Sequence, residues 1–239
     1  MAKSKKQEHK EDAFTKITKK TEHFIRKHLK TILFSMAALI ILAAAYFTVD
    51  HVLNTKEEEA ESVFSKVYLA YSDTLTDTDL DEEEMRESLL ALNEDFKTVL
   101  DKYPKSSAAS RSAYYIGNTL YRYGAYEEAL ENYGQGAQIK PKSYSALLCV
   151  QGEAICYEQL EDFEHARERY NHIIEKYDDS FLVPMVKFSL GQIFEEQELY
   201  NEAKEQYDSI VTDHGWSSWA NLAEKKILLL KNKSTDDEA

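Results

Sequence analysis

Glycine, proline and cysteine are all scarce in this chain. It has 7 glycines and 3 prolines among 239 residues, whereas these two residues together make up about 12% of an average protein. Because they mark most turns, their scarcity argues against a β-sandwich or a barrel and favours long helices. The 2 cysteines are too few for a disulfide scaffold or a four-thiolate zinc site. The formal net charge of −14 argues against a nucleic-acid partner, since phosphate binding needs a basic face.

The sequence also lacks the short motifs of common catalytic sites. It contains no H-E-x-x-H, no G-x-S-x-G, no glycine-rich phosphate loop and no C-x-x-C. Cys149 and Cys156 are seven residues apart on one predicted helix, too far for a disulfide, and we expect them to be buried thiols. His165 and His172 have the same spacing, which is too long for a shared metal. We therefore predict no enzymatic activity, no metal site and no cofactor.

One acidic stretch has two interpretations. Asp77, Asp79 and Asp81 alternate as at the start of an EF-hand calcium loop. The sixth position of that loop is Glu82 rather than glycine, however, and the twelfth is Ser88 rather than glutamate. A helix that begins with an aspartate cap and has acidic residues in its first turn explains the same pattern, and we favour it.

Charge is divided unevenly around a single apolar segment. Residues 1–30 carry ten Lys or Arg and four acidic residues, whereas the remainder has a net charge of −20. Residues 31–49 carry no charge and as a helix would span about 28 Å, the thickness of the hydrocarbon core of a bilayer. By the positive-inside rule the N-terminus is cytoplasmic. We predict a basic cytoplasmic tail at 1–30 and a transmembrane helix at 31–50.

A cleavable signal peptide is the alternative interpretation of the apolar segment. Ala43, Ala44 and Ala45 satisfy the A-x-A pattern of a cleavage site, and cleavage there would leave a mature N-terminus near residue 46. The long basic region and the length of the apolar run favour an uncleaved anchor. The first cysteine is Cys149, so no cysteine near the apolar run is available for acylation.

Beyond residue 50 the sequence repeats itself with a period of 37 residues. An aromatic residue recurs at that spacing: Phe96, Tyr133, Tyr170 and Tyr207. In the last three units a small residue precedes the aromatic by four positions: Ala129, Ala166 and Ala203. Another small residue lies further upstream: Gly117, Ala154 and Gly191. Small residues in two helices permit close approach, the aromatic fills the gap towards the next pair, and neighbouring pairs must stack to bury their apolar faces.

This pattern resembles the tetratricopeptide repeat, whose signature is L-G-x2-Y, then A-x3-F, then P. The second unit matches it through Ile116-Gly117, Leu120, Ala129, Tyr133 and Pro141. The fourth unit matches it through Leu190-Gly191, Phe194, Ala203 and Tyr207. The resemblance covers about residues 84–215 and implies an all-α fold, an α-solenoid of helical hairpins. We predict a linker helix and acidic loop at 51–83, a repeat domain with a capping helix at 84–232, and a disordered tail at 233–239.

In this family the first helices of the hairpins line a concave groove. Carried over by register, the groove candidates are Arg111, Tyr114, Asn118, Tyr121, Arg122, Gln151, Ile155, Glu158, Phe188, Gln192 and Glu195. Asn118 coincides with a position that chaperone-binding relatives use to clamp a peptide carboxylate, but the lysine they need four residues earlier is Tyr114 here. The aromatic lining fits an extended or partly unfolded polypeptide, and we expect Arg111 and Arg122 to select its acidic segments. The alternative is that the tyrosines simply pack between neighbouring helices.

The order of the segments resembles a second family, the membrane-anchored ancillary subunits of the bacterial secretory translocon. This resemblance implies a single-pass inner-membrane protein whose periplasmic repeat domain is a protein-interaction scaffold or chaperone. Translocon subunits and secreted or envelope polypeptides would be its partners. Residues 103–117 resemble the repeats of envelope proteins that assemble outer-membrane barrels or coordinate cell division. A structural or oligomerising tether that acts through its convex face is therefore the alternative function.

Overall fold

The computed structural model describes the backbone of residues 2–236 and the side chains of residues 15–31 and 33–231. Within this part of the chain the secondary structure consists of nine helices and no strand. The helices are α1 (Ala2–Thr76), α2 (Glu82–Lys102), α3 (Ser107–Arg122), α4 (Tyr126–Ile139), α5 (Tyr144–Gln159), α6 (Phe163–Lys176), α7 (Val183–Glu196), α8 (Tyr200–Asp213) and α9 (Ser218–Asp236). Contacts divide the chain into two compact units, Met1–Thr55 and Lys56–Ala239.

The first unit is the N-terminal part of α1. Its large apolar side chains between Leu33 and Val49 are exposed, several of them to more than 60%. The stretch is long and apolar enough to cross a membrane by length and composition.

The second unit is a stack of helical hairpins. α3 packs on α4, α5 on α6 and α7 on α8, and α3 also contacts α5. All members of the predicted packing set are buried: Phe96, Gly117, Ala129, Tyr133, Ala154, Ala166, Tyr170, Gly191, Ala203 and Tyr207. The approach is close, because a Cβ added at Gly117 would lie 2.6 Å from the ring of Tyr133, and one added at Gly191 would lie 2.5 Å from that of Tyr207. The period of 37 is thus the length of one hairpin.

The turns inside these three hairpins recur at the same period. Gly124, Glu161 and Glu198 lie 37 residues apart, each between the two helices of its hairpin, with φ of +78°, +56° and +61°. This left-handed conformation suits glycine and strains a residue with a Cβ. Two of the three turns are therefore built on a strained glutamate.

The N-terminal boundary of the repeat domain differs from the prediction. Ala60, Phe64 and Tyr71 of α1 are buried, and the rings of Phe64 and Tyr71 each lie 5.8 Å from that of Phe96 in α2. The end of α1 is therefore the first helix of the first hairpin, where we expected a linker. The 37-residue register misses it because α2 is 21 residues long against 14 in α4, so the position that would correspond to Gly117 falls at Leu80, in the turn.

Two helix ends also bear on the sequence predictions. Asp81 caps α2 by accepting hydrogen bonds from the backbone N–H groups of Glu83 and Glu84, and the Glu84 carboxylate accepts one from the N–H of Asp81. The acidic stretch is thus a helix N-terminus. α9 continues to Asp236, so residues 233–236 are helical where we expected disorder. No glycine or proline interrupts the helix there; residues 237–239 of the predicted tail lie outside the described residues.

Candidate functional site

Five of the groove candidates meet between α3 and α5. The α3 members are Tyr114, Asn118 and Tyr121, and the α5 members are Gln151 and Ile155. Together with parts of Tyr133, Leu148 and Gly152 they line a pocket of about 170 Å³. All five side chains are half-buried, so each packs against the fold and still presents atoms to the pocket.

The base of this pocket is the ring of Tyr133. It lies against the backbones of two helices, since a Cβ added at Gly117 or at Gly152 would approach it to 2.6 Å. Its hydroxyl donates a hydrogen bond to Oδ1 of Asn118 over 2.7 Å. Burial raises the pKa of Tyr133 far above its ordinary value, so the hydroxyl keeps its proton and remains a donor. The contact fixes the orientation of the Asn118 amide and leaves the amide N–H groups for other acceptors.

The two arginines have different surroundings. Arg111 forms an ion pair with Glu61 of α1, and its guanidinium carbon lies 4.1 Å from the centre of the Phe64 ring. Its charge is therefore compensated within the chain. Arg122 is exposed, with Nη2 3.6 Å from Sδ of Met85. Of the two cations expected to select acidic segments, only Arg122 is thus left available by the described contacts.

Phe188 does not line the groove, so this prediction is wrong. Its side chain is 7% exposed, and its ring lies 5.2 Å from the rings of both Tyr207 and Trp219. The register could not reveal this, because the covering residue Trp219 belongs to α9, which lies outside the repeats. Phe188 is part of the core that joins α7, α8 and α9.

Of the three remaining candidates, Gln192 and Glu158 lie at a second opening between α5 and α7. Its volume is about 490 Å³. Among its described lining residues every charged side chain is a carboxylate: Glu158, Glu161 and Glu196. Glu195 lies apart from them, where its Oε1 accepts a hydrogen bond from the hydroxyl of Tyr207 and lies 2.8 Å from Nζ of Lys226. Register alone did not indicate Glu161 and Glu196, because the first is in the hairpin turn and the second at a helix end.

The Glu158 side chain is half-buried. Burial raises its pKa, and a hydrogen bond with Tyr170 only partly offsets the effect. Its Oε1 is enclosed and has no hydrogen-bond partner among the described residues. A buried acceptor without a donor is costly, so a ligand N–H at this position would be favourable.

Comparisons with known proteins are limited to the fold. The sequence matches no family model and no curated protein. A tetratricopeptide repeat protein from Parabacteroides merdae superposes with a TM-score of 0.55 at 17% identity, over 72% of this chain and 61% of the other. BtubC from P. vanneervenii superposes with a TM-score of 0.53 at 15% identity, over 77% and 85% of the two chains.

A third solved structure is similar in the same way. The apo form of RapI superposes with a TM-score of 0.53 at 17% identity, over 70% of this chain and 46% of the other. The present chain thus spans less than two thirds of the length of two of these three structures. Together these likenesses show that the fold is a tetratricopeptide-type solenoid, as the sequence predicts.

Proposed function

We propose that this chain is a single-pass inner-membrane protein whose periplasmic repeat domain binds extended polypeptides, as a scaffold or chaperone that associates with the secretory translocon. It performs no catalysis of its own. The exposed apolar stretch of α1 and the Lys/Arg excess that precedes it support the anchor and its orientation. The pocket between α3 and α5 is the observation that carries the binding function.

The chemistry of that pocket suits a polypeptide backbone better than one particular side chain. Tyr114, Tyr121 and Ile155 supply apolar contact, and aromatic residues concentrate binding energy in such surfaces. Asn118 and Gln151 supply amide groups that can pair with peptide N–H and C=O groups of any sequence. The acidic opening further along would favour basic residues in the bound segment.

Site-specific photocrosslinking in the native membrane tests the proposal. A benzoylphenylalanine at Ile155, in the pocket, should crosslink to secreted polypeptides and translocon subunits. The same probe at Thr212, which is exposed on α8, should not. A charged blocker, Ile155→Arg, should reduce partner recovery at least tenfold, or about 1.4 kcal/mol, whereas Thr212→Arg should leave it unchanged. Equal crosslinking at both positions would refute the groove.

Topology needs an experiment of its own. Protease added to spheroplasts should remove residues after about 55 and leave the basic tail protected. If the protease digests the tail and the repeats survive, the orientation is the reverse of the one proposed. A mature N-terminus near residue 46 would instead establish cleavage.

The surface of α9 favours a second candidate function, a structural tether that oligomerises. Leu222, Leu228 and Leu229 are 42%, 64% and 61% exposed, and exposed apolar patches often mark interaction surfaces. A second copy that packs against this face would bury them. Mass photometry of the full chain should then show a dimer that Leu222→Lys with Leu229→Lys disrupts, and a monomer in the parent protein would exclude this function.

A further inference from the structure

A larger cleft lies away from the groove, between α2 and α4 of the first two hairpins. It has a volume of about 510 Å³, within the range of small-ligand pockets, about 300–1,000 Å³. Its apolar lining consists of Leu90, Leu100, Ile116 and Leu120. Its acidic lining consists of Glu94, Asp101, Glu128 and Glu131. Lys97 is the single cation among the described lining residues, so the cleft attracts positive charge.

Asn93 distinguishes this cleft from the corresponding places in the later units. The positions that correspond to Asn93 in the other units hold Leu130, which is apolar, and Arg167 and Lys204, which are longer and basic. Asn93 is only 9% exposed, it lines the cleft, and its Oδ1 has no hydrogen-bond partner within the described part of the chain. The cleft therefore combines empty volume, negative charge and an unsatisfied buried acceptor.

In the third unit an arginine stands at the position that corresponds to Asn93. There the guanidinium carbon of Arg167 lies 5.6 Å from the centre of the Phe194 ring. In the first unit the register counterpart of Arg167 is Asn93 and that of Phe194 is Leu120. Both of these residues line the cleft, so the place that the chain's own arginine takes in the third unit is open in the first.

From these observations we propose that the cleft between α2 and α4 binds an arginine side chain of a basic, amphipathic polypeptide segment. The apolar stem of the arginine packs along Leu120 and Leu90. Its planar guanidinium pairs with the carboxylates of Glu128 and Glu131, which its fork of N–H donors matches better than a lysine ammonium does. A donor within the cleft also satisfies the acceptor that Asn93 leaves unpaired.

Peptide binding to the full chain in a non-ionic detergent tests this proposal. The probe is a fluorescein-labelled ten-residue peptide of alternating arginine and leucine, measured by fluorescence anisotropy. The reference is the same peptide with citrulline, which is nearly isosteric and uncharged, in place of arginine. We expect the citrulline peptide to bind at least tenfold more weakly.

Three variants locate the site. Asn93→Arg supplies the cleft with the chain's own arginine, as in the third unit, and should weaken peptide binding at least tenfold without lowering the melting temperature. Glu128→Gln with Glu131→Gln should weaken it to a similar extent. The matched control is Glu202→Gln with Glu205→Gln, which occupies the corresponding positions of α8 and changes the net charge equally; it should alter binding less than twofold.

Several outcomes would overturn the proposal. If Glu128→Gln with Glu131→Gln and the control Glu202→Gln with Glu205→Gln weaken binding equally, the peptide is held by general charge attraction and not by the cleft. If a folded Asn93→Arg protein binds the peptide as tightly as the parent does, the peptide binds outside the cleft. Absence of peptide binding by the parent protein would also refute the proposal. If Asn93→Arg has a lowered melting temperature, the comparison between the two double glutamine variants tests the proposal instead. In the Ile155→Arg background, where the groove is blocked, Asn93→Arg should still weaken peptide binding at least tenfold, so the cleft is tested independently of the groove.

Discussion

Replacing Gly117 by alanine tests whether contact between small residues and aromatic rings sets the spacing of the hairpins. A Cβ at this position would lie 2.6 Å from Cε1 of Tyr133, closer than packed atoms tolerate, so the ring or the helix must move. The ring cannot simply retreat, because a Cβ added at Gly152 on its other side would also lie 2.6 Å away. The change therefore overpacks the contact between α3 and α4.

The size of the effect follows from two opposing contributions. Overpacking a dense core costs about 1–3 kcal/mol, whereas alanine in a helix is about 1 kcal/mol more favourable than glycine. Gly134 of α4 is the matched control, because its added Cβ meets only the flexible carboxylate of Glu153, at 3.3 Å. We expect Gly134→Ala to stabilise by about 0.5–1 kcal/mol and Gly117→Ala to be about 1–3 kcal/mol less stable than this control.

Thermal unfolding of the full chain in detergent, followed by circular dichroism at 222 nm, measures the difference. For a domain of this size it corresponds to about 2–12 °C in Tm. Tyr133→Leu removes the ring. Combined with each glycine variant in a double-mutant cycle, it should remove most of the difference in stability between Gly117→Ala and Gly134→Ala. If Gly117→Ala is as stable as Gly134→Ala, the packing explanation of the repeat is wrong.

Three further predictions concern other parts of the fold. Phe188→Ala should cost about 3–5 kcal/mol in the same melts, because the ring is core; a change under about 0.5 kcal/mol would be typical of an exposed residue instead. Glu161→Gly and Glu198→Gly should each stabilise by about 1 kcal/mol, since both occupy left-handed turns, and lower melting temperatures would contradict the strain. Burial raises the pKa of Glu158 above its ordinary 4.5, so its ionisation opposes folding at neutral pH. Glu158→Gln should therefore raise Tm at pH 7, with a gain that shrinks as the pH falls towards 4.5; a gain independent of pH would contradict this.

The sequence alone was enough to predict the three hairpins that α3 to α8 form. Residues such as Gly117, Ala129 and Tyr133 meet within one hairpin, so their contact depends on side-chain size and helix geometry over a short stretch. Because every such hairpin makes the same contact, the small and aromatic residues recur in the sequence every 37 residues. The sequence also identified the apolar stretch at 31–49 as a candidate membrane span, because length and composition suffice to recognise one.

The candidate site was only partly predictable. Tyr114, Asn118 and Ile155, which register assigns to the groove, line one pocket, because neighbouring first helices stack in the same order as the repeats. Register gave no information on the ion pair of Arg111, because its partner Glu61 lies in α1, which does not follow the 37-residue period. The acidic opening and the cleft at Asn93 likewise bring together residues of turns and of different hairpins.

Tertiary structure decided what happens at the two ends of the repeat array. The end of α1 completes the first hairpin through Phe64, and α9 covers Phe188 through Trp219. Neither helix shares the period, so the pattern cannot say which faces they cover. The repeat determines which residues point between helices, whereas the burial of each also depends on the next element in space.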